Sequence, residues 1–228
     1  MSFRPQFKEP RSVTKANLHE NPIVWLLERT ALPSSWLFWK LGMSANLVTG
    51  LSFLLSLLAS VSLIAFQYPP GFAALWTASV YLDFIDGQLA RLRRKTHQSA
   101  FRTDHTLDLV KFILVSLSLG YFWDRTQIWV MVFLGVSAIM LFTTLNQYLD
   151  AQPSTARYPR RPLVSRSGTQ SWFRAVWVPL MTFHAGSLLL IAVSPFSLLS
   201  TELVYGYFLL IGCVLAVRNT LLLLRLPR

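Results

Sequence analysis

Six runs of apolar residues, each about 20 residues long, constrain this chain more than any other feature. They lie at roughly Ala45–Gln67, Gly71–Leu92, Ala100–Trp123, Gln127–Leu149, Trp172–Val193 and Thr201–Leu224. A run of that length matches the hydrocarbon core of a bilayer, where every backbone polar group must be satisfied within the chain. Helices achieve this without edges, so the expected fold is all-α, a polytopic membrane protein of about six transmembrane helices. Only 14% of the 228 residues are charged, well below the roughly 25% of soluble domains.

The cationic residues set an expected orientation. Of 21 Lys and Arg, 18 lie before residue 41, between Arg91 and Arg102, between Arg157 and Arg174, or at Arg225 and Arg228. All four groups fall on one side of a six-span topology, so both termini and the two basic loops are expected to face the cytoplasm. The same surface would attract anionic lipid headgroups. Because the basic residues sit at the ends of apolar runs, a pI near 10.4 does not indicate nucleic acid as a partner. Cys213, the single cysteine, excludes a disulfide scaffold.

Residues 1–20 are polar and lack an apolar leader core, and read as a cytoplasmic tail. Residues 21–40 read as an interfacial amphipathic segment, and 41–228 as the transmembrane catalytic domain. In the stretch from Asn21 to Pro33, Ile23, Leu26, Leu27 and Thr30/Ala31 are expected to share one face, with Glu28 and Arg29 pointing away. Trp25, Trp36 and Trp39 suit the headgroup level.

Four of the ten acids stand at Asp83, Asp86, Asp104 and Asp108, in the cytoplasmic halves of the second and third runs. Ionisable residues within spans are costly and point to function. Spacings of three and four place each pair on one helical face. The short connection makes the two helices antiparallel neighbours, able to aim both pairs at one point. Four converging carboxylates need cations, and hard divalent ions with oxygen ligands, Mg2+ or Mn2+, answer that need. Two such ions would suit phosphoryl chemistry. Spacing alone leaves a proton or cation transporter equally open.

The segment DFIDGQLARLRRKTHQSAFRTDHTLD resembles the signature D-x-x-D-G-x-x-A-R-x(8)-G-x-x-x-D-x-x-x-D of the CDP-alcohol phosphotransferases. Asp83, Asp86, Gly87, Ala90, Arg91, Asp104 and Asp108 match in identity and spacing; Ala100 stands where the family has glycine. Asn46 and Thr49, in SANLVTG, resemble a turn that leads into the family's first span.

The resemblance implies transfer of a phosphatidyl group from CDP-diacylglycerol to a polar alcohol, with release of CMP. It implies two Mg2+ or Mn2+ ions, with Asp83 and Asp104 bridging, Asp86 completing the first and Asp108 reaching the second. Asp108 would also be the general base. Asn46, Thr49, Gly87, Ala90, Arg91, His97 and Ala100 would line the donor site. Lys111 would neutralise the carboxylates or meet a phosphate, and Arg157, Arg160 and Arg161 are candidates for an anionic acceptor. Headgroup transfer from a CDP-amino alcohol to diacylglycerol is the alternative within the class. Family members often form homodimers, and apolar spans leave room for one. The expected location is the cell membrane, with the active site on the cytoplasmic side.

Overall fold

The computed structural model describes residues 22–93, 98–151 and 185–224. They form α1 (Pro22–Lys40), α2 (Ala45–Phe66), α3 (Pro69–Leu92), α4 (Gln98–Trp123), α5 (Thr126–Ala151), the short α6 (Ala185–Leu188), a 3-10 segment (Leu189–Phe196) and α7 (Leu198–Leu224). No strand occurs among the described residues, in keeping with the all-α expectation.

Among the described residues, four helical stretches are long and apolar enough to cross a bilayer: Ala45–Phe66, Thr106–Trp123, Thr126–Leu149 and Leu198–Leu224. The 24 residues of α3 would extend about 36 Å. That helix is less apolar because it carries Asp83, Asp86 and Arg91. Of the fifth expected span, residues 172–184 lie outside the described set. The remainder is the short α6 followed by 3-10 helix with Pro195 inside it, not a continuous α-helix. Proline has no N–H to donate and favours such a break.

Local chemistry fixes the connections. Ser44 caps α2 by accepting from the Leu47 N–H at 3.2 Å. At its other end Gln67 turns left-handed, with φ 48°. There the Gln67 and Tyr68 N–H groups return to the Leu63 and Ser62 carbonyls at 3.2 and 3.1 Å. Pro69 and Pro70 then open α3, where their missing N–H groups cost nothing. The reversal is tight, so α2 and α3 run antiparallel and pack along their length.

Around this pair, α4 packs on α2, while α1 and the 3-10 segment pack on α3. A second pair, α5 and α7, lies close together, and the 3-10 segment joins α7 to α3. The core between them holds Phe72, Trp76, Val80, Phe112, Leu119, Ile139, Tyr205 and Phe208. Two indoles in spans find acceptors: Trp76 Nε1 donates to the Leu188 carbonyl and Trp123 Nε1 to Thr201 Oγ1, both at 2.8 Å. Large apolar side chains such as Phe66, Phe133, Leu203 and Leu210 face outward, as a lipid-facing surface requires.

α1 differs from its sequence expectation. Ile23 and Leu26 are exposed, and the face that meets α3 is Leu27, Glu28, Ala31, Ser35 and Phe38. Glu28 does not point away; it is buried because Arg91 of α3 lies opposite it. The helix also continues through Pro33 to Lys40.

The α5–α7 contact depends on Gly212. A Cβ there would lie 2.7 Å from the Ala138 carbonyl carbon and 2.8 Å from Ala138 Cβ. Backbone on that side cannot yield as a flexible side chain does, so overpacking should cost about 1–3 kcal/mol. Gly212→Ala is expected to lower the thermal unfolding midpoint in detergent, and adding Ala138→Gly should recover part of the loss. Gly50→Ala, with nothing within 4 Å of the new Cβ, should leave the midpoint unchanged or raise it; equal losses at both glycines would refute this account.

Candidate functional site

Asp83 and Asp86 lie on the last three turns of α3, and Asp108 lies on α4 near its start. What gathers them is a polar stripe on α2. Thr49 Oγ1 donates to Asp86 Oδ2 at 2.7 Å. One turn later, Ser52 Oγ donates to Asp83 Oδ1 at 2.6 Å. Ser79 Oγ donates to the Ser52 carbonyl at 2.8 Å and strengthens the same contact. In a nonpolar helix pair, such bonds specify which residues face each other.

Lys111 is at the centre. Its Nζ lies 2.7 and 2.6 Å from the two Asp83 oxygens. It is also 2.7 Å from Asp108 Oδ1 and 3.1 Å from Ser52 Oγ. The side chain is only 2% exposed, against 17% for Asp83 and 37% for Asp108. An unpaired lysine in a span costs about 2.5–3.5 kcal/mol even on the mildest scale. Here its three N–H directions are taken up by protein oxygens. Lys111 thus lies ion-paired between Asp83 and Asp108.

Asp86 is buried, at 4% exposure, and turns towards Thr49 instead. Asp104 belongs to α4, but its side chain lies outside the described set, as does that of Ala100; His97, Arg157, Arg160 and Arg161 also lie outside. Among the described residues, no three His, Cys, Asp or Glu side chains converge closely enough to hold one ion.

The donor set is nevertheless all oxygen, which suits Mg2+ or Mn2+. Asp83, Asp86 and Asp108 are the described members of that set. Between Asp83 and Asp108 stands the Lys111 ammonium.

The remaining motif residues occupy the same end of α3. A Cβ on Gly87 would meet only Arg91 Nη1, at 3.5 Å. Helix packing among the described residues therefore does not require glycine here. Its bareness leaves an open face beside Asp86, and half-buried Ala90 keeps the next turn shallow. Asn46 is exposed three residues before Thr49, on the same side of α2.

Arg91 is held from below: its Nη2 pairs with Glu28 Oε1 at 3.2 Å. Its Nε is buried with no hydrogen-bond acceptor among the described residues. Gln88, fully buried, completes the clamp to α1. Its Oε1 accepts from Ser35 Oγ at 2.7 Å, and its Nε2 donates to the Glu28 carbonyl at 2.6 Å. Tyr81 OH donates to the Thr30 carbonyl at 2.7 Å. Ser52, Gln88 and Ser35 escaped the sequence analysis, which places Glu28 on the outward face, although the i, i+3 recurrence of Asn46, Thr49 and Ser52 is a usable signal.

The clamp predicts a local response. Gln88→Leu leaves the Ser35 hydroxyl and the Glu28 carbonyl unpaired in a buried place, a loss of about 1–3 kcal/mol. In a Cys213→Ser background carrying Ala31→Cys, maleimide labelling at position 31 should be slow. Adding Gln88→Leu should speed it severalfold; unchanged labelling would show that α1 is held by packing alone.

Comparison with curated proteins gives no match. A family model does match: CDP-alcohol phosphatidyltransferase, over residues 42–218. That region takes in α2 through most of α7 and every aspartate described above, so the chain belongs to the CDP-alcohol phosphatidyltransferase family, whose members are membrane transferases.

Proposed function

We propose that the chain transfers a phosphatidyl group from CDP-diacylglycerol to a polar alcohol and releases CMP, using Mg2+ or Mn2+, at the cytoplasmic face of a cell membrane. The observation that carries this reading is the meeting of Asp83, Asp86 and Asp108 with the α2 stripe at one end of the bundle. Bare Gly87 and the buried, unaccepted Nε of Arg91 lie beside them. The cationic loops supply the orientation.

Asp83, Asp86 and Asp104 would hold the metal, and bound metal would screen the diphosphate and the charge developing on CMP. The chain's own groups do the rest. The open face at Gly87 admits the donor's diphosphate close to the backbone. Arg91, kept rigid by Glu28, offers Nε to a phosphate oxygen in the forked geometry that guanidinium provides. Thr49 fixes the Asp86 carboxylate through Oδ2. Asp108 is the most exposed of the three described acids, where a water-soluble acceptor arrives. It takes the acceptor's hydroxyl proton as that oxygen bonds to the phosphatidyl phosphorus and the bond to CMP breaks.

An open apolar groove of about 530 Å3 lies beside α3, lined by Leu27, Ala74, Thr77, Ala78, Tyr81 and Leu189 among others. Its lining suits an acyl chain and supports a lipid substrate.

CMP release from CDP-diacylglycerol by the purified protein tests the reading, with serine, glycerol 3-phosphate, inositol, inositol 1-phosphate and an anionic phospholipid offered separately. Metal-dependent release with one acceptor is expected. Release only from CDP-choline or CDP-ethanolamine with diacylglycerol would reassign donor and acceptor within the family. Asp108→Asn should lower turnover by about 10^2–10^4 while nucleotide binding persists, whereas Asp83→Asn should weaken metal and donor binding together. Full turnover in Asp108→Asn would remove that residue from the base role.

A further inference from the structure

We propose that Glu28 is a positioning residue of the donor site: from α1 it holds the Arg91 guanidinium beside Gly87, ready for the donor's diphosphate, and keeps it from turning onto Asp86. The proposal rests on the CDP-donor reading above and deepens it. Residue 28 lies ahead of the region that matches the family model, which begins at residue 42.

Arg91 is drawn from two sides. Its side chain runs back along α3, as long helical side chains do. Nη1 thereby comes to stand 3.5 Å from the point a Gly87 Cβ would occupy. Nη2 pairs with Glu28 Oε1 at 3.2 Å, while the Asp86 carboxylate acts on the same guanidinium. Both acids are buried, where attraction between charges is stronger than in water. Asp86 is meanwhile engaged by Thr49 Oγ1 at 2.7 Å. With Nη2 committed to Glu28, Nε has no acceptor and Nη1 lies over the bare turn at Gly87. A planar fork held in this way keeps donors for a phosphate oxygen.

Glu28 acts here through Arg91 and not by seating α1, because α1 is anchored elsewhere. Gln88 Nε2 and Tyr81 OH bond its carbonyls at 2.6 and 2.7 Å. At its far end Gly42 turns left-handed, with φ 74°. The Gly42 and Met43 N–H groups there return to the Trp39 and Phe38 carbonyls at 3.1 and 3.0 Å. Arg93 Nη2 then donates to the Met43 carbonyl at 2.6 Å and ties that turn to the end of α3. Removing the charge of Glu28 therefore leaves the helix in place and releases Arg91 alone.

The test is CDP binding to the full chain in detergent, with Mg2+ present, measured by isothermal titration calorimetry. Glu28→Gln keeps the shape and an acceptor but loses the charge. It is expected to weaken CDP binding about tenfold, the size of one charge-assisted contact. Arg91→Met should weaken it at least as much, and Glu28→Gln added to Arg91→Met should cost nothing further. Glu28→Asp, with the charge on a shorter stem, should cost about two- to threefold, and only while Arg91 is present. In the Cys213→Ser, Ala31→Cys background, maleimide labelling should stay slow in Glu28→Gln.

Unchanged CDP binding in Glu28→Gln, an equal loss once Arg91 is gone, or labelling as fast as in Gln88→Leu would overturn the proposal. Should Glu28→Gln fail to fold, Glu28→Asp with and without Arg91 decides. CDP bound equally well by the wild type and Glu28→Gln sinks only the role of Glu28. A wild type that binds no CDP sinks the donor reading with it.

Discussion

The ion-paired cluster of Lys111, Asp83 and Asp108 is the constraint on which the rest of the arrangement depends. Charges in a membrane span are tolerable only when they neutralise each other and are fully hydrogen-bonded. Asp83 comes from α3, Asp108 and Lys111 from α4, and the Ser52 hydroxyl from α2. Removing Lys111 takes the cationic partner from both carboxylates, and removing either carboxylate leaves Lys111 with the other alone. Three helices are therefore tied at one height, and that height is where the family motif lies. Stability and chemistry draw on the same side chains here, so substitutions at this point should be read with both effects in view.

A second tie extends the site to α1. Glu28 faces Arg91, and Gln88 bonds both a side chain and a carbonyl of α1. Arg91 and Gln88 are three residues apart on α3, so one helical face carries the whole clamp. The first helix thus governs how Arg91 stands. Lys40 over the Trp36 ring, at 3.8 Å to the centroid, belongs to the outer side of α1, where an aromatic and a cation suit the headgroup region.

What the sequence revealed and concealed follows from the range of the forces. The aspartate spacing was legible because it is local to one helix, and the helical class because long apolar runs leave few other folds. Lys111 was ambiguous because a long stem on one turn of helix can reach inward to acids or outward to a phosphate. Glu28 was misplaced because its partner lies 63 residues away, and an acid without a visible partner is assigned to solvent. Ser52 was hidden by its type: serines in apolar helices usually bond their own backbone, as Ser56 and Ser60 do. Apolar character does not distinguish α from 3-10 geometry, so the helix change after Leu188 had only Pro195 as a sign.

The two contacts from α2 carry one more consequence. Thr49 meets Asp86 and Ser52 meets Asp83: three residues forward on one helix correspond to three back on the other, as antiparallel neighbours require. A slip of one helical turn would break both bonds: in one direction Asp83 would face Leu55 while Ser52 met Asp86, and in the other Thr49 and Asn46 would stand opposite Asp83 and Asp86. The D-x-x-D spacing therefore does two things at once. It presents both acids to hydroxyls of α2, and it contributes to the register of α2 against α3. Replacing either acid by a residue that cannot accept from a hydroxyl removes a rung as well as a charge. Asparagine retains the acceptor and is the substitution that separates the two roles.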